Sequence, residues 1–353
     1  MRYCTALRAT SSLCVSNNGC VPDNGCRMTS LQYTLWQLLA DGRFHSGEQM
    51  ARHAGVTRAA VWKALQGLRE LGMAVHAVSG RGYSLGRAFE PLQRETILSQ
   101  VAAPLRARLQ SFDVLHSVDS TNAWLMRQQA GYAVAACIAE HQSAGRGRRG
   151  RHWCSPFGSN LYLSLRCRFD EGMGRLSGLS LAIAVVMIRA LREAGVEQAA
   201  VKWPNDIYWQ GRKLGGILLE VAGEPAGPCV VVIGIGLNMA MPAAAGKDID
   251  QPWADLAAIH DGVSRNRLAG RLLHHLLDGV EVFQYGGLAP FEPEWREADL
   301  LEGKTVVLLQ PDTEIVGIGR GIAHDGSLLL EVEGQLQRHN FGEVSVRLLE
   351  SAR

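Results

Sequence analysis

Leu31, Leu35, Leu38 and Leu39 recur at the spacing of one helix face, and Asp41-Gly42 ends the run. Ser46-Gly-Glu-Gln49 has the form of a capping box, serine with glutamine three residues on, and opens a second short helix that Gly55 breaks. Thr57 caps a third helix, predicted over 58–71, with Val61, Leu65 and Leu68 on its apolar face and Gly72 at its end. Met73–Val78, the turn Ser79–Gly82 and Tyr83–Leu85 then read as a hairpin. Helices joined by a tight glycine-containing turn and followed by a hairpin form a winged helix-turn-helix.

After Phe89-Glu90-Pro91 the pattern lengthens. Strands are predicted at 135–139, 160–165, 199–202, 214–220 and 230–238. Helices are predicted at 123–129, 178–194 and from Arg265 to about Phe283, the second of them apolar enough to be core. Pro204 ends the strand that leads into it. The triplet Gly211-Arg212-Lys213 reads as a hairpin turn. From Gly303 the pattern is all short strands, at 304–309, 315–322, 328–332 and 344–348, with Asp325-Gly326 as a hairpin signal. Four segments follow: an extension over 1–27, the winged helix over 28–90, a central domain over 91–302 and a small β module over 303–353.

Composition adds limits. The 353 residues are 47% hydrophobic and 20% charged, the balance of a globular chain. A formal net charge of +2 excludes a global polyanion binder, so any basic surface is local. No apolar run reaches the ~18 residues of a membrane span; 179–191 comes closest and Arg189 interrupts it. Eight cysteines include no C-x-x-C pair, which gives a zinc site little support. Cys4, Cys14, Cys20 and Cys26 crowd a polar segment without the apolar stretch of a secretory signal. That segment reads as a disordered tail, or as the product of a start placed upstream of Met28. The body cysteines fit a reducing cytoplasm.

The chemistry starts at Gly145–Arg151, which holds three glycines and four arginines. Glycine lets a ligand approach the backbone, and arginine offers a planar fork of donors to phosphate or carboxylate. Because the run lies between two predicted strands, it is a clamp for an anionic ligand rather than a tail. Asp119-Ser120-Thr121-Asn122 is either a helix cap or a polar pocket, and the residues alone leave both open. Asn205 and Asp206 are presented at a strand end, and Gly215-Gly216 opens the returning strand to close approach. Gly234-x-Gly236 lacks a third helix-opening glycine, which rejects a dinucleotide-binding fingerprint. In the N-terminal segment seven Lys/Arg stand against four Asp/Glu. Arg58, Lys63 and Arg81 are candidate contacts to DNA phosphates.

Three motifs then agree: GRGRRGR at 145–151, KWPND at 202–206 and RKLGGILL at 212–219. Together they resemble the signature of biotin–protein ligases, in the bacterial class that also represses the biotin operon. The resemblance covers about residues 30 to 350. It implies an α+β multidomain fold: a winged helix, a mixed sheet similar to class II aminoacyl-tRNA synthetases, and an SH3-like β-barrel. It implies a two-step reaction in which biotin and ATP give biotinyl-adenylate, and a carrier lysine then takes the biotin. By resemblance Ser120, Thr121, Asn122, Gln142, Arg146, Gly147, Arg148, Lys213 and Gly216 hold biotin. Arg146, Arg148, Arg151, Trp153, Asn205, Asn238 and Arg347 hold ATP, with Lys213, Arg148 and Asp206 catalytic. Mg²⁺ is implied by the triphosphate charge, and no residue is assigned to it. The implied partners are the biotin carboxyl carrier protein of acetyl-CoA carboxylase, operator DNA and a second copy when adenylate is bound, with no membrane. The alternative is a lipoate–protein ligase-like enzyme with the same adenylate chemistry. Two departures are small: His141 stands where an aromatic residue is expected, and Gly215 where an alanine is.

Overall fold

The computed structural model describes residues 28–128, 133–243, 245–247, 249–310, 313–340 and 345–349. The expected extension over 1–27, with its four cysteines, lies outside the described residues, as do Gln129 and Val344 at the ends of two predicted elements.

The elements in chain order begin with α1 (Ser30–Leu38), α2 (Gly47–Ala54), α3 (Arg58–Glu70), β1 (His76–Val78) and β2 (Gly82–Ser84). Next come α4 (Arg94–Ser99), α5 (Ala103–Arg108), β3 (Ser111–Leu115), α6 (Thr121–Arg127), β4 (Val134–Ala139), β5 (Asn160–Phe169) and α7 (Leu179–Glu193). Then follow β6 (Ala199–Lys202), β7 (Asp206–Trp209), β8 (Arg212–Gly223), β9 (Cys229–Asn238), α8 (Leu256–Ile259), α9 (Arg265–Gly286) and α10 (Glu292–Ala298). The chain closes with β10 (Thr305–Leu309), β11 (Glu314–Ile322), β12 (Leu328–Val332), β13 (Gln335–His339) and β14 (Ser345–Leu348).

The N-terminal unit forms as its caps dictate. Thr29 and Ser46 each make a capping box with the glutamine three residues on, and the Thr57 hydroxyl accepts from Ala60 N at 3.2 Å. Leu35, Leu39, Met50, Val61, Leu65 and Leu68 pack together beneath the helices. β1 and β2 pair antiparallel as the wing.

The central sheet has seven strands in the order β3-β4-β5-β9-β8-β7-β6. Only β3 and β4 run parallel, so the sheet is mixed. α7 lies against it almost wholly buried, from Leu179 through Leu191. Met173–Glu193 is long and apolar enough to cross a membrane, but most of it is core. Arg189 escapes burial of its charge by pairing with Glu294 of α10, at 2.5 and 2.9 Å. The C-terminal unit is one antiparallel sheet in the order β13-β12-β11-β10-β14.

The units are fastened at named places. Glu90 accepts from the backbone of Arg265 and from Ser264, and so fixes the start of α9. Arg265 is itself buried, paired with Glu140, and donates to Asn160 O at 2.8 and 3.0 Å. Arg87 donates to Ser159 Oγ and Ala240 O. On the other side the Trp203 indole donates to Gly326 O at 3.0 Å, which ties the β6–β7 turn to the C-terminal sheet.

Several predicted boundaries are corrected. The hairpin turn is Gln210-Gly211, both at positive φ, so Arg212 and Lys213 begin β8 rather than cap it. α6 starts two residues before the predicted Ala123 and places Thr121 and Asn122 in its first turn. β3, α4, α5, α8, α10 and β13 carried no pattern strong enough to predict. β13, QLQRH, is polar at almost every position and is a strand because β12 offers it a ladder.

Candidate active site

The chemistry-bearing segments meet in one cavity of about 870 Å³. That volume suits a ligand larger than a single small acid. Ser120, Thr121, Asn122, Gln142, Arg146, Gly147, Arg148, Arg151, Trp153, Asn205, Asp206, Lys213 and Gly216 line it, and so does Arg347. Arg347 arrives from β14, so the C-terminal sheet contributes to the wall. Asn238 does not line the cavity. It is buried behind, where its amide donates to Ala254 O at 3.0 Å and anchors the segment after β9.

One end of the cavity is a polar relay among buried groups. Gln142 Oε1 accepts from Thr121 N at 2.9 Å and from Thr121 Oγ1 at 3.1 Å. Gln142 Nε2 donates to Ser155 Oγ at 3.1 Å. The Ser164 hydroxyl oxygen lies 2.6 Å from Asn122 Oδ1 and 2.7 Å from Thr121 Oγ1. Ser120 serves as the N-cap of α6. Ser120, Thr121 and Asn122 thus start the helix and line the cavity together, while Asp119 pairs with Arg127 away from it. Ser155 and Ser164 were not singled out from the sequence. A lone serine in a loop or strand carries no signal until the fold sets it opposite Gln142 or Asn122.

The other end is cationic. Gly145–Arg151 runs as a loop between β4 and β5, closed by a short 3-10 turn at Arg148–Gly150 in which Arg149 takes φ 57°. Arg148 Nη1 donates to Asn205 Oδ1 at 3.3 Å, while Asn205 Nδ2 donates to Ile217 O. Arg146 pairs with Glu220 at 3.1 Å. Lys213 Nζ lies 2.7 Å from Asp206 Oδ1 and 5.6 Å above the Trp153 ring. Lys202 donates to Tyr208 OH at 3.2 Å, and burial pulls its ammonium pKa down. Tyr208 is a further wall residue that pattern reading passed over.

The floor explains the late glycines of β9. A Cβ on Gly236 would stand 2.6 Å from Trp153 Cζ2, and one on Gly234 would stand 2.9 Å from Asn122 Cγ. Each of these glycines makes room for a side chain of the wall. His141 fills the predicted aromatic position by stacking on Phe157, centroids 4.2 Å apart, with Ser117 Oγ 2.9 Å from its Nδ1. Burial holds its imidazole down at about 4.

A cleft with hydrogen-bonding groups at one end, arginines and lysines at the other and an indole between suits two anions brought together. Comparison with known proteins agrees. Residues 114–238 match the Biotin/lipoate A/B protein ligase family, 31–84 an HTH domain, and 303–347 the Biotin protein ligase C terminal domain. The Bifunctional ligase/repressor BirA of Salmonella typhimurium is 43% identical over 323 residues, 91% of this chain and 99% of that one. The chain belongs to the bifunctional ligase/repressor family of biotin protein ligases. The family's Bacillus subtilis representative is 30% identical over 308 residues, 85% of this chain and 93% of that one. Among solved structures, the biotin protein ligase from Aquifex aeolicus in complex with biotin and ATP superposes with TM-score 0.59. It is 26% identical and covers 68% of this chain and 100% of its own. In this chain the relay and the cationic groups line one cavity.

Proposed function

We propose that this ligase joins biotin to ATP across the cavity and passes the biotin to a carrier lysine, with the roles below. The observation that carries the reading is that the Thr121–Gln142 relay and the Arg146, Arg148, Lys213 and Arg347 charges face a single 870 Å³ space. Ser120, Thr121, Asn122 and Gln142 take the ureido ring of biotin, whose donors and acceptors match hydroxyl and amide groups. Gly216 and Gly147 give backbone room. The biotin carboxylate attacks the α-phosphate, the bond to the β-phosphate oxygen breaks, and pyrophosphate leaves. Lys213 and Arg148 hold the charge that gathers on the α-phosphate oxygens. Arg146, Arg151 and Arg347 meet the remaining phosphates, and Trp153 and Asn205 flank the nucleotide. Asn238 acts from behind by holding the segment after β9. In the second step the neutral lysine amine attacks the acyl carbon of the mixed anhydride and AMP departs. Asp206 lies at the edge where that amine enters.

Magnesium enters with the triphosphate as part of the substrate. Among the described residues no cluster of three His, Cys, Asp or Glu side chains is present, and the charged side chains of the wall are mainly cationic. The proposed carrier is the biotin carboxyl carrier protein of acetyl-CoA carboxylase, in a reducing cytoplasm that suits Cys137, Cys154, Cys167 and Cys229, none of which forms a disulfide among the described residues. The proposed domain boundaries fall after residues 27, 90 and 302. The central sheet is of the class II synthetase kind and the C-terminal sheet an SH3-like barrel. The helix-turn-helix binds operator DNA as an adenylate-bound homodimer. Arg58 and Lys63 are exposed on α3, and Arg81 sits on the wing 4.3 Å from the Phe44 ring centroid. The experiment is pyrophosphate release from ATP with biotin and, separately, with lipoate. Release with biotin alone is expected. Release with lipoate alone overturns the substrate reading.

A further inference from the structure

Trp62 is 56% exposed on α3, among the most solvent-exposed large apolar side chains described. The buried positions of that helix, Val61, Ala64, Leu65 and Leu68, centre about 110° around the helix axis from Trp62. Trp62 is therefore not a core residue displaced outward; the hydrophobic cluster of the unit closes without it. One turn before it is Arg58, next to it Lys63, and one turn after it Gln66. Arg58, Ala59 and Lys63 are exposed with it, so one helix face presents an indole between two cations. The surface complementary to such a face is anionic at its margins and apolar at its floor. The major groove meets that description where a thymine 5-methyl group lies between phosphate ridges. Trp62 is also the fifth of thirteen residues in α3. The first half of a recognition helix is the part that reaches base edges.

We propose that Trp62 is a specificity-determining residue that packs on the methyl group of a thymine in each operator half-site. The proposal rests on the reading of the helix-turn-helix as a DNA-binding unit and adds what it reads. Arg58 and Lys63 set the register through phosphates, which carry no sequence information. Trp62 supplies a preference for T over C at one position.

The test uses the full chain with biotin and ATP. Duplexes are selected from a randomised pool, and the enriched duplex is titrated by fluorescence anisotropy at several salt concentrations. Each thymine is then replaced singly by uracil, which removes only the methyl group. Burying one methyl corresponds to about a fourfold change in affinity. Wild type is expected to lose about fourfold at one thymine per half-site. Trp62→Ala is expected to bind the parent duplex more weakly, to lose that discrimination, and to keep the same slope of log affinity against log salt. Arg58→Ala is expected to flatten the slope and keep the discrimination. Trp62→Ala should melt close to the wild-type temperature by circular dichroism, because the indole lies outside the unit's hydrophobic cluster.

If no thymine position is sensitive to both uracil and Trp62→Ala, the proposal is overturned while DNA binding stands. If the selection enriches no sequence, the DNA-binding reading fails and the proposal falls with it. If Trp62→Ala changes the oligomeric state in sedimentation without changing the thymine preference, the face belongs to another protein chain and the proposal is again overturned.

Discussion

Gly236→Ala tests the shape of the active site without removing any charged or hydrogen-bonding group. Gly236 lies in β9, paired with Tyr162 on one side and Gly216 on the other, and its φ is one that alanine adopts without strain. Only the space is wrong: the new methyl would stand 2.6 Å from Trp153 Cζ2 and 2.7 Å from Nε1. Carbon atoms rest at about 3.5–4.0 Å, so the ring must move by about an ångström or the strand must give. Overpacking of this kind costs about 1–3 kcal/mol. In binding terms that is a loss between about 5-fold and about 150-fold. The indole is the ring under Lys213, so its displacement reaches both the proposed nucleotide site and the ammonium. The expected result is a raised KM for ATP and a lowered kcat in pyrophosphate release, with a melting temperature lowered by about 2–4 °C for each kcal/mol that the clash costs the fold. Two controls decide the cause. Gly174→Ala meets nothing within 4 Å and should be silent. Gly236→Ala combined with Trp153→Ala should be less damaged than the sum of the single variants, because the clash then has no second partner. Unchanged KM and kcat in Gly236→Ala would refute the claim that Trp153 forms a fixed wall of the site, and additive losses in the double variant would refute the clash as the cause.

Three further outcomes are expected. Lys213→Ala should lower adenylate formation by about 10²–10³-fold, the usual loss on removing one group that meets developing charge, with the fold retained; pyrophosphate exchange near wild type would dismiss the role. Arg148→Gly should loosen the Gly145–Arg151 clamp and its link to Asn205, so that biotinyl-adenylate escapes; in a mixture of unrelated proteins it should label bystander lysines above the wild-type level. Asp299 precedes the C-terminal sheet, its Oδ2 buried without a hydrogen-bond partner, and burial pushes its carboxyl up to about 7. The folded state then holds a proton between about pH 4 and pH 7 that the unfolded chain has released, so stability falls as pH rises through that window. Asp299→Asn should melt higher than wild type at pH 8 and by a much smaller margin at pH 5, and equal differences at both pH values would rule out the carboxyl as the cause.

The order of the three units, most long helices and the ligand class were legible in the residues alone. Local signals carried them. The capping box at Ser46 is satisfied within four residues, the α3 stripe is a matter of spacing, and a loop of three glycines and four arginines has no place in a core. The same reasoning failed where an element depends on its neighbour. β13 is polar and becomes a strand only against β12, and Lys213 entered β8 because the turn closes one residue earlier, at Gln210-Gly211. The site divides the same way. Arg146, Arg148 and Lys213 announce their chemistry by residue type. Ser164, Ser155 and Tyr208, and the purpose of Gly234 and Gly236, were decided by tertiary structure, because a hydroxyl or a missing methyl acquires meaning only from what stands opposite it. Sequence proximity determines which groups are available; the pairing of β5, β8 and β9 determines which of them share one space.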